Sequence, residues 1–188
     1  TNYNLCLVGA LLGSQIAFSQ IIEFDPVTDE MLANPPPGEW LSWRGNQNSW
    51  GYSPLDQINS NNVNQLQLVW SWAFDDTGAG QAAPLIHNGV MFIPGPRGVV
   101  QALDAANGDL VWEYRPGITA SIDDTDRSSS IEELGDAAMP ATGYAGVGRG
   151  VQKNIAIFDE LIYMATENAS IVAINARTGL LVWETQTA

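Results

Sequence analysis

Val100-Gln101-Ala102-Leu103-Asp104-Ala105-Ala106-Asn107-Gly108-Asp109-Leu110-Val111-Trp112-Glu113 reads as a strand, a tight polar turn and a second strand ending on a large aromatic. It returns as Ile171-Val172-Ala173-Ile174-Asn175-Ala176-Arg177-Thr178-Gly179-Leu180-Leu181-Val182-Trp183-Glu184, so that Trp183 stands 71 residues after Trp112. The register holds without a gap upstream of the turn: Val90-Met91-Phe92-Ile93 maps onto Leu161-Ile162-Tyr163-Met164, and Leu85-Ile86 onto Ala156-Ile157. A repeat of this length is the signature of stacked supersecondary units.

Each unit resolves into four short strands. Ala83 to Ile86 and Val90 to Ile93 are joined through Asn88-Gly89, which supplies the positive φ that a two-residue hairpin needs. Val99 to Leu103 and Leu110 to Tyr114 turn on Asn107-Gly108. The copy predicts strands at Ile155 to Phe158, Leu161 to Ala165, Ile171 to Ile174 and Leu180 to Glu184, with turns at Asp159-Glu160 and Arg177-Thr178-Gly179. Upstream, Leu66, Leu68, Trp70, Trp72 and Phe74 alternate onto one face of a further expected strand.

A four-stranded antiparallel unit repeated along a chain is a propeller blade. One blade cannot bury both faces of its sheet, and about four blades make the smallest closed ring. Two blades plus one strand would leave unpaired edges and an exposed apolar face. The fold class expected is therefore all-β, a partial β-propeller, and the chain reads as the amino-terminal part of a larger protein. Boundaries fall at 1–19, a leader-like segment; 20–62, an extended arm and lead-in loop; and 63–188, the first strand and two blades, with a long acidic and glycine-rich loop at 115–153. In the arm, Pro35-Pro36-Pro37 follows several acids without a clear period, and Trp50 and Tyr52 are expected to anchor the loop after it.

Composition narrows the partners. A formal net charge of −14 across 188 residues is the wrong sign for a phosphate-binding surface, which argues against nucleic acid and suits a basic protein partner. Leu5 to Leu12 followed by Ala17-Phe18-Ser19 resembles the apolar region and cleavage site of a secretory signal peptide, although the basic flank is missing. The run is too short to span a bilayer, since a spanning helix needs ~18 apolar residues or more. Periplasmic or secreted localisation follows as the expectation. Cys6, the single cysteine, lies in this segment, so a mature chain would hold no disulfide or thiolate metal site.

Ala102-x-Asp104-x-x-x-Gly108-x-x-x-Trp112 and Ala173-x-Asn175-x-x-x-Gly179-x-x-x-Trp183 resemble the tryptophan-docking motif of the quinoprotein alcohol dehydrogenases. Those enzymes are eight-bladed propellers carrying pyrroloquinoline quinone (PQQ) and calcium. Trp40-Leu41-Ser42-Trp43-Arg44-Gly45 and Gly51-Tyr52-Ser53-Pro54-Leu55-Asp56-Gln57-Ile58-Asn59 are similar to the same family, so the likeness covers roughly residues 40 to 188. Physically, a Trp fills the gap left by Ala and Gly between adjacent sheets, with its indole N–H on a backbone carbonyl. Asp104 and Asn175 accept from turn amides. The motif is structural, so no catalytic residue is assigned to it.

The resemblance implies two cofactor contacts. Gln81 aligns with a cofactor-contacting Glu, and Lys153 with an Arg that contacts the quinone. Gln keeps hydrogen bonding without the charge; Lys keeps the charge but loses the bidentate fork. Ordinary polar residues at a strand entrance are the alternative reading. Some family members carry adjacent cysteines six residues before that Arg; here Val147-Gly148 stands there. Calcium ligands and the carboxylate base are expected beyond residue 188, so no metal ligand or catalytic residue is named. The implied activity is oxidation of a small alcohol, with electrons passed to a cytochrome c type acceptor. The runner-up is a non-catalytic propeller acting as an envelope scaffold.

Other signals fail on spacing. Asp124-Thr125-Asp126 starts like a calcium loop, but Ser129 and Gly135 occupy the required Gly and Glu positions. Gly146-x-Gly148-x-Gly150 lacks the P-loop Lys-Ser/Thr. His87, at a hairpin tip, is expected to be solvated. Residues 21–188 produced alone should aggregate or stay loosely packed; a sharp, cooperative melt of a monomer would contradict the packing argument.

Overall fold

Cross-strand pairing sorts the side chains of each repeat into two faces, and those faces decide the architecture. The structure is a computed structural model that describes residues 21, 23–74, 81, 83–117, 154–166 and 168–187. Strands β1 (Leu85–His87), β2 (Val90–Pro94), β3 (Val100–Asp104) and β4 (Leu110–Tyr114) form one antiparallel sheet in sequence order. Strands β5 (Ala156–Phe158), β6 (Leu161–Ala165), β7 (Ser170–Asn175) and β8 (Leu181–Gln186) form the second. The expected all-β, two-blade architecture holds. The leader-like segment, Cys6, Lys153 and the loop from residue 118 to Lys153, with Val147-Gly148, lie outside the described residues.

Leu85, Phe92, Ala102 and Trp112 are successive cross-strand partners and share one face of the first sheet. In the second sheet the equivalent row is Ala156, Tyr163, Ala173 and Trp183. The core lies between the sheets, and the two contribute opposite faces to it. The first sheet offers its Trp112 row, while the second offers Ile157, Ile162, Met164, Val172 and Ile174. The sheets therefore stack head to tail, and the Trp183 row faces outward, with Trp183 itself 40% exposed. A symmetric sandwich would bury both Trp rows; this arrangement is that of successive propeller blades.

The docking motif works as its chemistry demands. The Trp112 indole N–H donates to the Ala176 carbonyl at 2.9 Å, and the ring lies over Gly179. A Cβ at Gly179 would meet the ring at 2.7 Å, and its φ of +73° is itself unfavourable to other residues. Asn175 Oδ1 accepts from the Arg177 and Thr178 amides, as Asp104 Oδ1 accepts from that of Ala106. The β3–β4 and β7–β8 registers each shift at the same repeat position, between Ala102 and Leu103 and between Ala173 and Ile174. Such a bulge re-aims the side chains beyond it, here next to the Trp.

Leu66–Phe74, expected as a strand, is not one: among the described residues no strand pairs with its backbone. The alternation is nevertheless real. Trp70 lies over Gly108 and donates to the Ala105 carbonyl at 3.2 Å; Trp72 donates to Gln101 Oε1 at 2.8 Å. The ring of Phe74 lies where a Cβ at Gly95 would stand, 2.6 Å away. Trp70, Trp72 and Phe74 therefore dock on the first sheet, whereas Leu66 and Leu68 of the same alternation do not. Leu68 and Val69 are exposed, because a strand needs hydrogen-bonding neighbours at its own edge and none is present among the described residues.

The arm differs from its expected plain extension. Thr28 caps a short helix, Asp29–Ala33, by accepting from the Met31 amide. Trp40 pairs with Ile86, Val27 with Asp159, and the Ile21 amide donates to the Arg177 carbonyl, so the arm ties both sheets together. Trp50 and Tyr52 do not anchor their loop; they are 67% and 69% exposed because nothing among the described residues covers them.

Gly179→Ala in the full-length protein should therefore cost well over the ~1 kcal/mol of a left-handed Ala. Gly89→Ala is the control, since its φ is +74° and a Cβ there meets nothing within 4 Å. Urea unfolding midpoints should fall clearly further for the first; equal shifts would mean that the Trp112 slot carries no steric constraint.

Candidate functional site

The antiparallel order gives each sheet two unlike ends. Gln81 precedes β1, so it lies at the end where the chain leaves β2 and re-enters β3, through Gly95, Pro96, Arg97 and Gly98. The β1–β2 turn at Asn88-Gly89 and the β3–β4 turn at Asp104 to Gly108 lie at the other end. In the second sheet, Asn154 and the Thr166 to Ala169 turn correspond to the first of these ends. Both sheets point the same way, because Asp25 bonds Asn88 and the nearby Val27 pairs with Asp159.

The arm occupies the second end and fills it with polar contacts. His87 is fully buried, which corrects the expectation of a solvated hairpin-tip residue. Its Nδ1 lies 2.8 Å from Glu39 Oε2, its Nε2 lies 2.6 Å from the Asp25 carbonyl, and Phe24 meets the ring edge-on. Both ring nitrogens face acceptors, so the ring makes both bonds when both carry protons. The Asn88 amide also donates to Glu39, and its side chain both accepts from and donates to Asp25. The cluster is structural: every group faces a partner within the protein. Sequence alone missed it because the arm covering His87 comes from more than forty residues upstream.

The candidate site lies at the first end. Gln81 is exposed, with an amide that can both donate and accept. Arg97, exposed and held at φ 57° in the β2–β3 turn, adds a cation at the same end. Lys153, the second expected contact, lies outside the described residues, so the two are not seen together. Gln81 and Arg97 thus place a hydrogen-bonding amide and a cation at the same blade end. Among the described residues, no group of three or more His, Cys, Asp or Glu could hold a metal ion. No helix among them is long and apolar enough to cross a membrane.

Comparison with known proteins agrees with this geometry. Residues 40–184 match the family model described as the PQQ glucose/ethanol/alcohol dehydrogenase β-propeller domain. The chain is 34% identical over 151 residues to the dehydrogenase subunit of a quinone alcohol dehydrogenase from Gluconobacter oxydans, covering 80% of this chain and 17% of that protein. It is 31% identical over 150 residues to a 1-butanol dehydrogenase (cytochrome c) from Thauera butanivorans, covering 80% of this chain and 19% of that protein. The solved quinohemoprotein alcohol dehydrogenase ADHIIG from Pseudomonas putida superposes with a TM-score of 0.69 at 30% identity, covering 88% of this chain and 22% of that one. The chain spans about a fifth of the length of these relatives.

The separation of the two ends has a direct consequence. His87→Ala in the full-length protein should speed proteolysis within residues 23–40 severalfold while leaving ligand binding at the Gln81 end unchanged. Equal proteolysis rates would show that the arm is held without the His87 cluster.

Proposed function

The chain belongs to the PQQ glucose/ethanol/alcohol dehydrogenase β-propeller family, and we propose that it contributes two blades and the docked Leu66–Phe74 segment to a periplasmic alcohol dehydrogenase. The family match over residues 40–184 carries this reading. The names of the relatives support an alcohol as substrate, and one of them, the 1-butanol dehydrogenase, supports a cytochrome c type acceptor. The signal-peptide-like run from Leu5 to Ser19 supports the periplasm.

In this reading Gln81 and Lys153 hold the rim of the cofactor. The Gln81 amide donates to a carboxylate or quinone oxygen and helps fix the plane of the ring. Lys153 places a positive charge against the anionic cofactor as a single point rather than a fork. PQQ when bound supplies the two-electron acceptor for the alcohol, and calcium the Lewis acid that polarises the quinone. Calcium ligands and the carboxylate base belong to later blades. The described part of this chain contributes binding and orientation, and proton transfer is left to residues elsewhere.

The test is to titrate the full-length apo-protein with PQQ in the presence of calcium, following absorbance, and then dye reduction with simple alcohols. Gln81→Ala should weaken PQQ binding roughly tenfold, the value of one hydrogen bond to a charged group. Lys153→Ala should weaken it at least as much, in a salt-dependent way. A full-length protein that never binds the quinone would replace this reading with that of a non-catalytic envelope scaffold.

A further inference from the structure

The two seams of this chain look alike in backbone and differ in chemistry. Trp70 and Trp112 dock identically, each donating to the carbonyl three residues before the glycine it covers: Ala105 before Gly108, and Ala176 before Gly179. Two residues further along stand Trp72 in the first seam and Tyr114 in the second. On the receiving sheets, Gln101 stands where the next repeat has Val172. The first seam therefore carries a polar pair, and the second places an apolar residue at the same point.

Gln101 is buried, only 3% exposed, between two partners of fixed sense. The Trp72 indole can only donate, and it reaches Gln101 Oε1 at 2.8 Å. The Glu113 carboxylate accepts from Gln101 Nε2 and in turn accepts from Arg115. The amide meets a donor on one side and an acceptor on the other. A carboxylate at residue 101 would face Glu113, and an apolar side chain would leave the Trp72 N–H without this acceptor and Glu113 with Arg115 alone.

We propose that Gln101 is a selectivity residue, which makes the first sheet accept the Trp70-x-Trp72 segment of its own chain in preference to the outer strand of any other blade or of a second copy. Head-to-tail stacking makes such a choice necessary. Every blade offers a Trp-bearing outer face to the same kind of receiving face, so an unselective seam can join separate chains as readily as it closes one ring. The competing strands of this chain carry Trp112-x-Tyr114 and Trp183-x-Thr185. Each has the docking Trp, but neither places an indole N–H at the second position. A Thr hydroxyl sits too near its backbone to reach Gln101, and a Tyr hydroxyl lies farther out than an indole nitrogen. Either strand would dock its Trp and leave the buried Gln101 oxygen unsatisfied.

The experiment uses the full-length chain, refolded from urea over a range of concentrations, with the oligomer fraction measured by size exclusion and light scattering. Two variants are compared with wild type: Gln101→Val, and Gln101→Val combined with Trp72→Tyr, which transplants the second seam's pair into the first. Gln101→Val should raise the oligomer fraction roughly tenfold at equal concentration, the factor one unmade buried hydrogen bond represents. The double variant should regain most of the melting temperature yet keep the raised oligomer fraction. A double variant that refolds to the wild-type monomer fraction overturns the proposal, and it remains decisive if the single variant fails to fold.

Discussion

An indole standing in a slot between two sheets governs this protein. Trp112 belongs to one blade, but the glycine that makes room for it and the carbonyl that receives its N–H belong to the next. The contact is directional, since one sheet supplies the wedge and the other the slot. Directionality forces the two sheets to present unlike faces to each other, and from that follow the head-to-tail stack, the single core between the blades and the outward Trp183 row. Large aromatics dominate because one Trp covers area that several small side chains would otherwise fill at greater entropic expense.

Stacking along one direction leaves the ends of the sheets to carry other tasks. One end is closed by the arm, whose pairings at Ile86, Asp159 and Arg177 span both blades and bury His87 with Glu39. Its polar groups are spent on each other, which makes it a strut. The opposite end keeps Gln81 and Arg97 exposed. Structure and chemistry are thus divided between the ends of the same strands, and an end can change its ligand contacts without disturbing the slot that holds the blades together.

Repetition of the backbone does not imply repetition of the chemistry. Asn175 replaces Asp104 with almost no geometric consequence, because either oxygen accepts from the turn amides. Val172 in place of Gln101 is a different matter. It exchanges a buried hydrogen-bond relay for plain contact, and the relay distinguishes the seam whose docking segment comes from outside the repeat. Unsatisfied buried polar atoms discriminate more sharply than lost apolar area, which is why one amide can tell apart faces that otherwise look alike.

Read alone, the sequence determined what local physics controls. Asn88-Gly89 and Gly179 could only be turns, and the period-two runs between them could only be short strands. The 71-residue register made two equivalent blades. Gln81 came as a site candidate only from the family resemblance, because strand positions alone mark many polar residues at strand entrances. Tertiary structure decided everything that depends on partners distant in the chain. It buried His87 under an arm, left Trp50 and Tyr52 uncovered, and denied Leu66–Phe74 a strand while seating its three aromatics. Burial and strand pairing are properties of two segments at once. A pattern within one segment reveals which face seeks cover, and only the folded chain reveals what covers it.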